Sequence, residues 1–196
     1  MNKQLAMAIL ILAMGAGVVP VSANAQMAAQ AKPDQKPTFA MVIDRSFSNV
    51  EKEVVSAADA MPEDKFNFAP TQGEFKGVRT FALQVKHIAT ANYMLAAGIL
   101  GEKPPVEIKS ENGPDNITSK ADIMKFLKDS FAYGHKAANS LDDSNVIGMV
   151  QSPFGPNKVT RLGLAIGMIS HPFDHYGQMV EYLRMNGIIP PASRGQ

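Results

Sequence analysis

His171-Pro172-Phe173-Asp174-His175-Tyr176-Gly177-Gln178-Met179-Val180-Glu181-Tyr182 carries two of the four histidines of a 196-residue chain, four positions apart. The run around it, from about Val159 to Asn186, reads as one long helix. Pro156-Asn157 precede it, and Gly187 with Pro190-Pro191 stops it. On a helix this spacing stacks two imidazoles one turn apart on one face. It is the spacing with which a helix holds a metal ion between two rings. With His171 at zero and about 100° per residue, His175 falls at about +40°, Gln178 at about −20° and Tyr182 at about +20°. Asp174 flanks the stripe at about −60°. A core stripe would place Leu or Ile there, because inward polar groups cost stability unless satisfied. The stripe therefore reads as a site, with Gln178 and Tyr182 supporting the two histidines. Pro172 lacks an N–H for the Met168 carbonyl and its ring crowds that carbonyl, so a kink or wide turn is expected between them.

Three earlier segments carry helical signals. The first runs from about Ser48 to Ala60, with Ser48 and Glu51 as a capping box and Met61-Pro62 as its end. The second runs from about Thr80 to Leu100, stopped by Gly101 with Pro104-Pro105 beyond. The third runs from about Thr118 to Leu141, opened by a capping-box-like Ser119 and Asp122. No segment alternates apolar and polar residues for long enough to make a convincing strand. Four helices imply an all-α four-helix bundle. The connections, roughly Pro62 to Arg79, Gly101 to Ile117 and Asp142 to Asn157, are long enough to cross it, so sequence neighbours need not be spatial neighbours.

The N-terminus reads as a cleavable export signal over residues 1–25. Lys3 precedes an apolar run from Leu5 to Val19, and small residues at Ala23 and Ala25 mark the cleavage site. The run is shorter than the roughly 20 residues of a membrane span. The expectation is a periplasmic or secreted protein with no stable membrane anchor after cleavage. Residues 26–38 are a polar, Pro-containing flexible leader, 39–191 the folded domain and 192–196 a tail.

The chain has 19 basic and 18 acidic residues and no run of Lys or Arg, which argues against a nucleic-acid partner. With no cysteine there is no disulfide, thiolate ligand or cysteine nucleophile. Metal ligands must be His, Asp or Glu. His87, in Val85-Lys86-His87-Ile88-Ala89 of the second segment, is the candidate third ligand beside His171 and His175. The alternative is that all three are surface histidines, or core histidines bonded to neighbours. His135, in Tyr133-Gly134-His135-Lys136, reads as a solvated helix residue. Arg184 favours the helix dipole or an ion pair.

The helical segment with His87, the connection Met61-Pro-Glu-Asp-Lys-Phe-Asn-Phe-Ala-Pro70 and the terminal helix from His171 to Gly187 together resemble the DinB-like superfamily of metal-binding four-helix bundles. The resemblance covers about Phe39 to Pro191. It implies a metal triad of His87, His171 and His175, a bundle of unusual helix order, and often a homodimer. Some members are thiol transferases using intracellular low-molecular-weight thiols, a cofactor that an exported protein would meet little of.

Three imidazoles leave a divalent ion its full charge, the condition under which a water ligand is acidified towards neutrality. Zinc suits such a site best; nickel, iron or manganese suit a more open one. The expected function is a metal-dependent hydrolase or transferase acting on a small molecule, with Asp174 the candidate catalytic group. The alternative is a non-catalytic metal- or ligand-binding protein of the cell envelope.

Overall fold

The computed structural model describes residues 36–195. The expected export signal, residues 1–25, and leader residues 26–35 lie outside the described residues, as does Gln196. Four helices follow: α1 (Phe39–Ala60), α2 (Phe81–Leu100), α3 (Lys120–Asn139) and α4 (Arg161–Met185).

The first helix begins well before Ser48. Thr38 is its N-cap, its hydroxyl accepting from the Met41 N–H. The expected capping box of Ser48 and Glu51 does not form; Ser48 lies mid-helix and its hydroxyl donates to the Asp44 carbonyl. The reason lies in the apolar period. Buried Ile43, Phe47, Val50, Val54 and Ala57 recur at three- and four-residue steps, so the core-facing stripe continues upstream of Ser48. Met61 in extended conformation ends α1 ahead of Pro62, as expected. Thr80 caps α2, and Gly101, at φ 73°, closes it in the left-handed region that glycine tolerates. At α3 the expected Ser119 cap forms without the reciprocal backbone bond of a full capping box: the Ser119 hydroxyl accepts from the Asp122 N–H at 3.1 Å and donates to its carboxylate at 2.7 Å. Pro172 is buried inside α4, which continues through it to Met185.

The packing order is not the sequence order. Helix α2 packs against α3 and α4, and α1 packs against α4 and α3. Consecutive helices α1 and α2 thus sit diagonally, and so do α3 and α4. The connection through the 3-10 turn Glu63–Lys65 crosses the bundle, and the helices carrying His87 and His171 become neighbours. A second 3-10 turn, Pro191–Ser193, packs onto α1. The core fills with Phe47, Met61, Phe81, Phe131, Met168, Met179 and Leu183.

Two further expectations are corrected. A short antiparallel hairpin, β1 (Met149–Gln151) and β2 (Lys158–Thr160), precedes α4, with Val150 opposite Val159. Three-residue strands are too short for alternation to register in the sequence. His135 is not simply solvated. Its Nδ1 lies 2.7 Å from an Asp44 carboxylate oxygen and its Nε2 3.0 Å from one of Glu51, so it bridges α3 to α1. Burial disfavours its charge, but the hydrogen bonds and negative charges of Asp44 and Glu51 outweigh it and hold the imidazole above its ordinary range.

That bridge makes stability pH-dependent. A raised folded pKa means the contribution is complete below the unfolded value of about 6.5 and fades as pH rises through the folded value. His135→Gln is expected to lower stability by about 1–2 kcal/mol at pH 5.5, the difference from wild type narrowing by pH 9. Thermal unfolding at both pH values checks this; an equal loss at both would remove charge from the account. Gly134 leaves room between the same two helices for the Phe47 ring, since a Cβ there would lie 2.4 Å from Phe47 Cε1. Gly134→Ala is expected to destabilise by about 1–3 kcal/mol in denaturant titration.

Candidate metal centre

The adjacency of α2 and α4 brings together the three histidines expected from sequence. His87 Nε2 lies 3.1 Å from His171 Nε2, and His175 Nε2 lies 3.2 Å from it. One ring nitrogen from each residue falls within 4.8 Å of both others. The ring centroids are 4.6 to 5.0 Å apart and mutually inclined, so the edges rather than the faces meet. An ion bonded to nitrogens at about 2.0–2.1 Å separates them by about 3.0 Å at right angles and about 3.4 Å at tetrahedral angles. The two spacings to His171 Nε2, 3.1 and 3.2 Å, lie inside that interval.

The far sides of two rings are anchored. His87 Nδ1–H donates to the Glu111 carbonyl at 2.7 Å. His175 Nδ1–H donates to Gln84 Oε1 at 2.7 Å, in a buried contact. Each bond places the proton on Nδ1 and leaves Nε2 with its lone pair directed at the other histidines. His171 Nδ1 is buried without a hydrogen-bond partner. The Nε2 lone pairs of His87 and His175 both point at His171 Nε2, which as a free imidazole could donate to only one of them, whereas a shared cation serves all three. The donor set fits a divalent metal.

From His175 the hydrogen bonds run outward as a relay. Gln84 Nε2 donates to Gln178 Oε1 at 2.7 Å, and Gln178 Nε2 donates to the Asp174 carboxylate at 3.4 Å. A longer approach of Gln178 Nε2 to His175 Nδ1, at 3.5 Å, is the weaker geometry, because that nitrogen already donates to Gln84. On the other side, Arg79 holds the chain that presents the Glu111 carbonyl. Its guanidinium donates to the Glu111 carboxylate at 2.8 Å and to Asn112 Oδ1 at 2.7 Å. The Tyr182 hydroxyl donates to the Arg79 carbonyl at 3.1 Å. Gly113, at φ 76°, lets this chain settle on α2; a Cβ there would lie 3.1 Å from Thr90 Oγ1. Buried Lys86 donates to the Ile117 carbonyl at 3.2 Å, pinning the end of the same stretch.

The imidazoles resist protonation. Burial, then the neighbouring histidines, bring His171 and His175 down to about 4 against a small opposing pull from Asp174. Burial is also the main cause that lowers His87, despite its bond to Glu111. Neutral rings are the form that a metal requires.

The supporting residues expected from the helix stripe are placed differently from one another. Gln178 is one hydrogen bond from Gln84 and so supports His175 through it. Tyr182 acts further out, on Arg79. Asp174 is exposed, and its hydrogen-bonded path to the histidines runs through Gln178 and Gln84. Gln84, Arg79 and the Glu111 carbonyl were not expected. Gln84 left a signal, being one helical turn before His87, as Gln178 follows His175. A backbone carbonyl leaves none.

A family profile described as the DinB superfamily matches residues 46–179, a span that includes all three histidines. A solved structure described as a DinB-like protein from Bacillus cereus ATCC 10987 superposes with a TM-score of 0.61 at 18% identity, covering 79% of this chain and 96% of that one. At that identity the likeness is one of fold. No curated protein matches the chain significantly.

The anchoring bonds predict the tautomers. In metal-free protein at pH 7, nitrogen–proton correlation spectra should show His87 and His175 neutral and protonated at Nδ1. A His175 protonated at Nε2 would contradict the relay through Gln84.

Proposed function

The chain belongs to the DinB superfamily, and from that premise we propose that His87, His171 and His175 hold one divalent metal ion through their Nε2 atoms. The observation that carries the proposal is the donor set itself: three neutral imidazoles converging within 4.8 Å, two of them locked at Nδ1. Zinc suits three nitrogen ligands best, and nickel, iron or manganese suit the same set with more open positions. When bound, the ion supplies Lewis-acid polarisation of whatever small molecule occupies its open side.

The chain's own residues then have separable tasks. Glu111 and Gln84 fix the orientation and tautomer of His87 and His175, which keeps their Nε2 lone pairs available. The Gln84–Gln178–Asp174 relay spreads positive charge from His175 towards an exposed carboxylate. Arg79, held by Tyr182, keeps the Glu111 carbonyl in register with His87. The reaction class we assign is hydrolysis or group transfer on a small molecule, with Asp174 as the candidate catalytic group, acting on His175 by its charge through the two amides. One observation favours a non-catalytic metal- or ligand-binding protein as a second reading: Asp174 is exposed and two amides away from His175. A screen of metal-loaded protein against ester, amide and thiol-transfer substrates separates the two, turnover abolished by His171→Ala supporting the enzyme.

We extend the proposal to location: residues 1–25 direct export and are removed, on the strength of the charge, apolar run and small-residue pattern at the N-terminus. Mass spectrometry of native protein should find it beginning after Ala25; an intact Met1 would count against export.

Elemental analysis tests the metal directly. Wild-type protein should carry close to one ion per chain and His171→Ala almost none. Gln84→Leu should retain the fold and bind roughly 10–100-fold more weakly, because His175 Nδ1–H loses its acceptor. Wild-type protein that takes up none of zinc, nickel or manganese on reconstitution would overturn the proposal.

A further inference from the structure

A cavity of about 270 Å³ opens beside the histidines, and two of them, His87 and His171, form one side of it. Its wall along α2 is Thr90, Ala91 and Met94, which follow His87 at three, four and seven residues and so extend the same helix face. Ile108 closes it from the connection before α3, and Phe154 closes it from the turn of the hairpin. His175 is absent from this lining, so access to the histidine cluster lies on the His87 and His171 side.

The polar side chains of the wall are already engaged. Thr90 Oγ1 donates to the Lys86 carbonyl, and Ser110 Oγ accepts from the Asn112 N–H. The Glu111 carboxylate holds Arg79, and Lys109 pairs with Glu107 at 3.2 Å. The rest of the wall is apolar: Ala91, Met94, Ile108 and Phe154. Phe154 is 62% exposed, although large aromatics are ordinarily covered, and it is held over the cavity by a braced turn. Its N–H donates to Ser152 Oγ, and Gln151 Nε2 donates to the Gly155 and Asn157 carbonyls.

We infer that this cavity binds the body of the substrate, and that the substrate is a small molecule with an aryl or branched alkyl body and a single metal-ligating head group. The inference rests on the metal reading above. The head group reaches the ion between His87 and His171, and the body lies along Ala91 and Met94 beneath Phe154. The volume equals that of about nine liquid waters, enough for a phenyl-sized body and a short linker.

Two probes with the same chelating group test this on zinc-loaded protein: acetohydroxamate and benzohydroxamate. Calorimetry should show benzohydroxamate binding roughly tenfold tighter, from burial of its ring. The carbon-13 methyl resonance of Met94 should shift with benzohydroxamate only. Phe154→Ser should reduce the preference below about threefold at unchanged zinc content. Equal affinity for the two probes, or an unmoved Met94 methyl, overturns the cavity assignment. Failure to load zinc, nickel or manganese overturns the metal reading instead. The cavity is then judged by benzyl alcohol added to metal-free protein: a shifted Met94 methyl sustains it and an unmoved one overturns it.

Discussion

The constraint on which the structure depends is that α2 is buried on nearly every side yet carries Gln84, Lys86, Thr90 and Asn92. A buried polar group without a partner costs about 1–3 kcal/mol, so each must find one. Gln84 finds His175 and Gln178 on α4. Lys86 finds the Ile117 carbonyl ahead of α3. Thr90 turns back on its own helix, and Asn92 Nδ2 donates to Ser130 on α3 at 3.2 Å while its Oδ1 stays buried without a partner. Apolar packing alone would let α2 slide or rotate within the bundle. These directional bonds fix its register against both neighbours, and so fix where His87 points.

The two histidine clusters show how environment divides one side-chain chemistry. His135 lies between two carboxylates and is favoured as a cation. The other three lie among one another in a buried site and are favoured as neutral bases. The first contributes a charged clasp between α1 and α3; the second a set of lone pairs between α2 and α4. Both link helices that are neighbours only because the chain crosses the bundle.

Much of this was legible in the residues. The 171–175 spacing, the polar stripe through Gln178 and Tyr182, and the stops at Met61-Pro62, Gly101 and Gly187 led to the bundle and to the three histidines. What was hidden is of three kinds. The start of α1 was obscured because Ser48 and Glu51 imitate a cap, while the apolar period continues to Ile43 and the true cap is Thr38. The hairpin was too short to show a period. The supports of the site depend on distant pairs, Gln84 with His175, Arg79 with Glu111 and His135 with Asp44, and one acceptor is a main-chain carbonyl with no side-chain signature. Local sequence reports which face of a helix is unusual, and only the assembled bundle reports what that face meets.

The diagonal placement of consecutive helices has a kinetic side. His87 and His171 are 84 residues apart in sequence, and their contact closes a loop that includes the whole of α3 and the hairpin. The entropy of closing so long a loop is lost before its contacts form, which places the α2–α4 seam among the later events of folding and makes folding slow for a helical protein. An ion held across that seam would act as a reversible staple on one of the long-range contacts of the bundle. It would slow escape from the native state far more than it would hasten arrival, so metal occupancy would govern the lifetime of the folded chain.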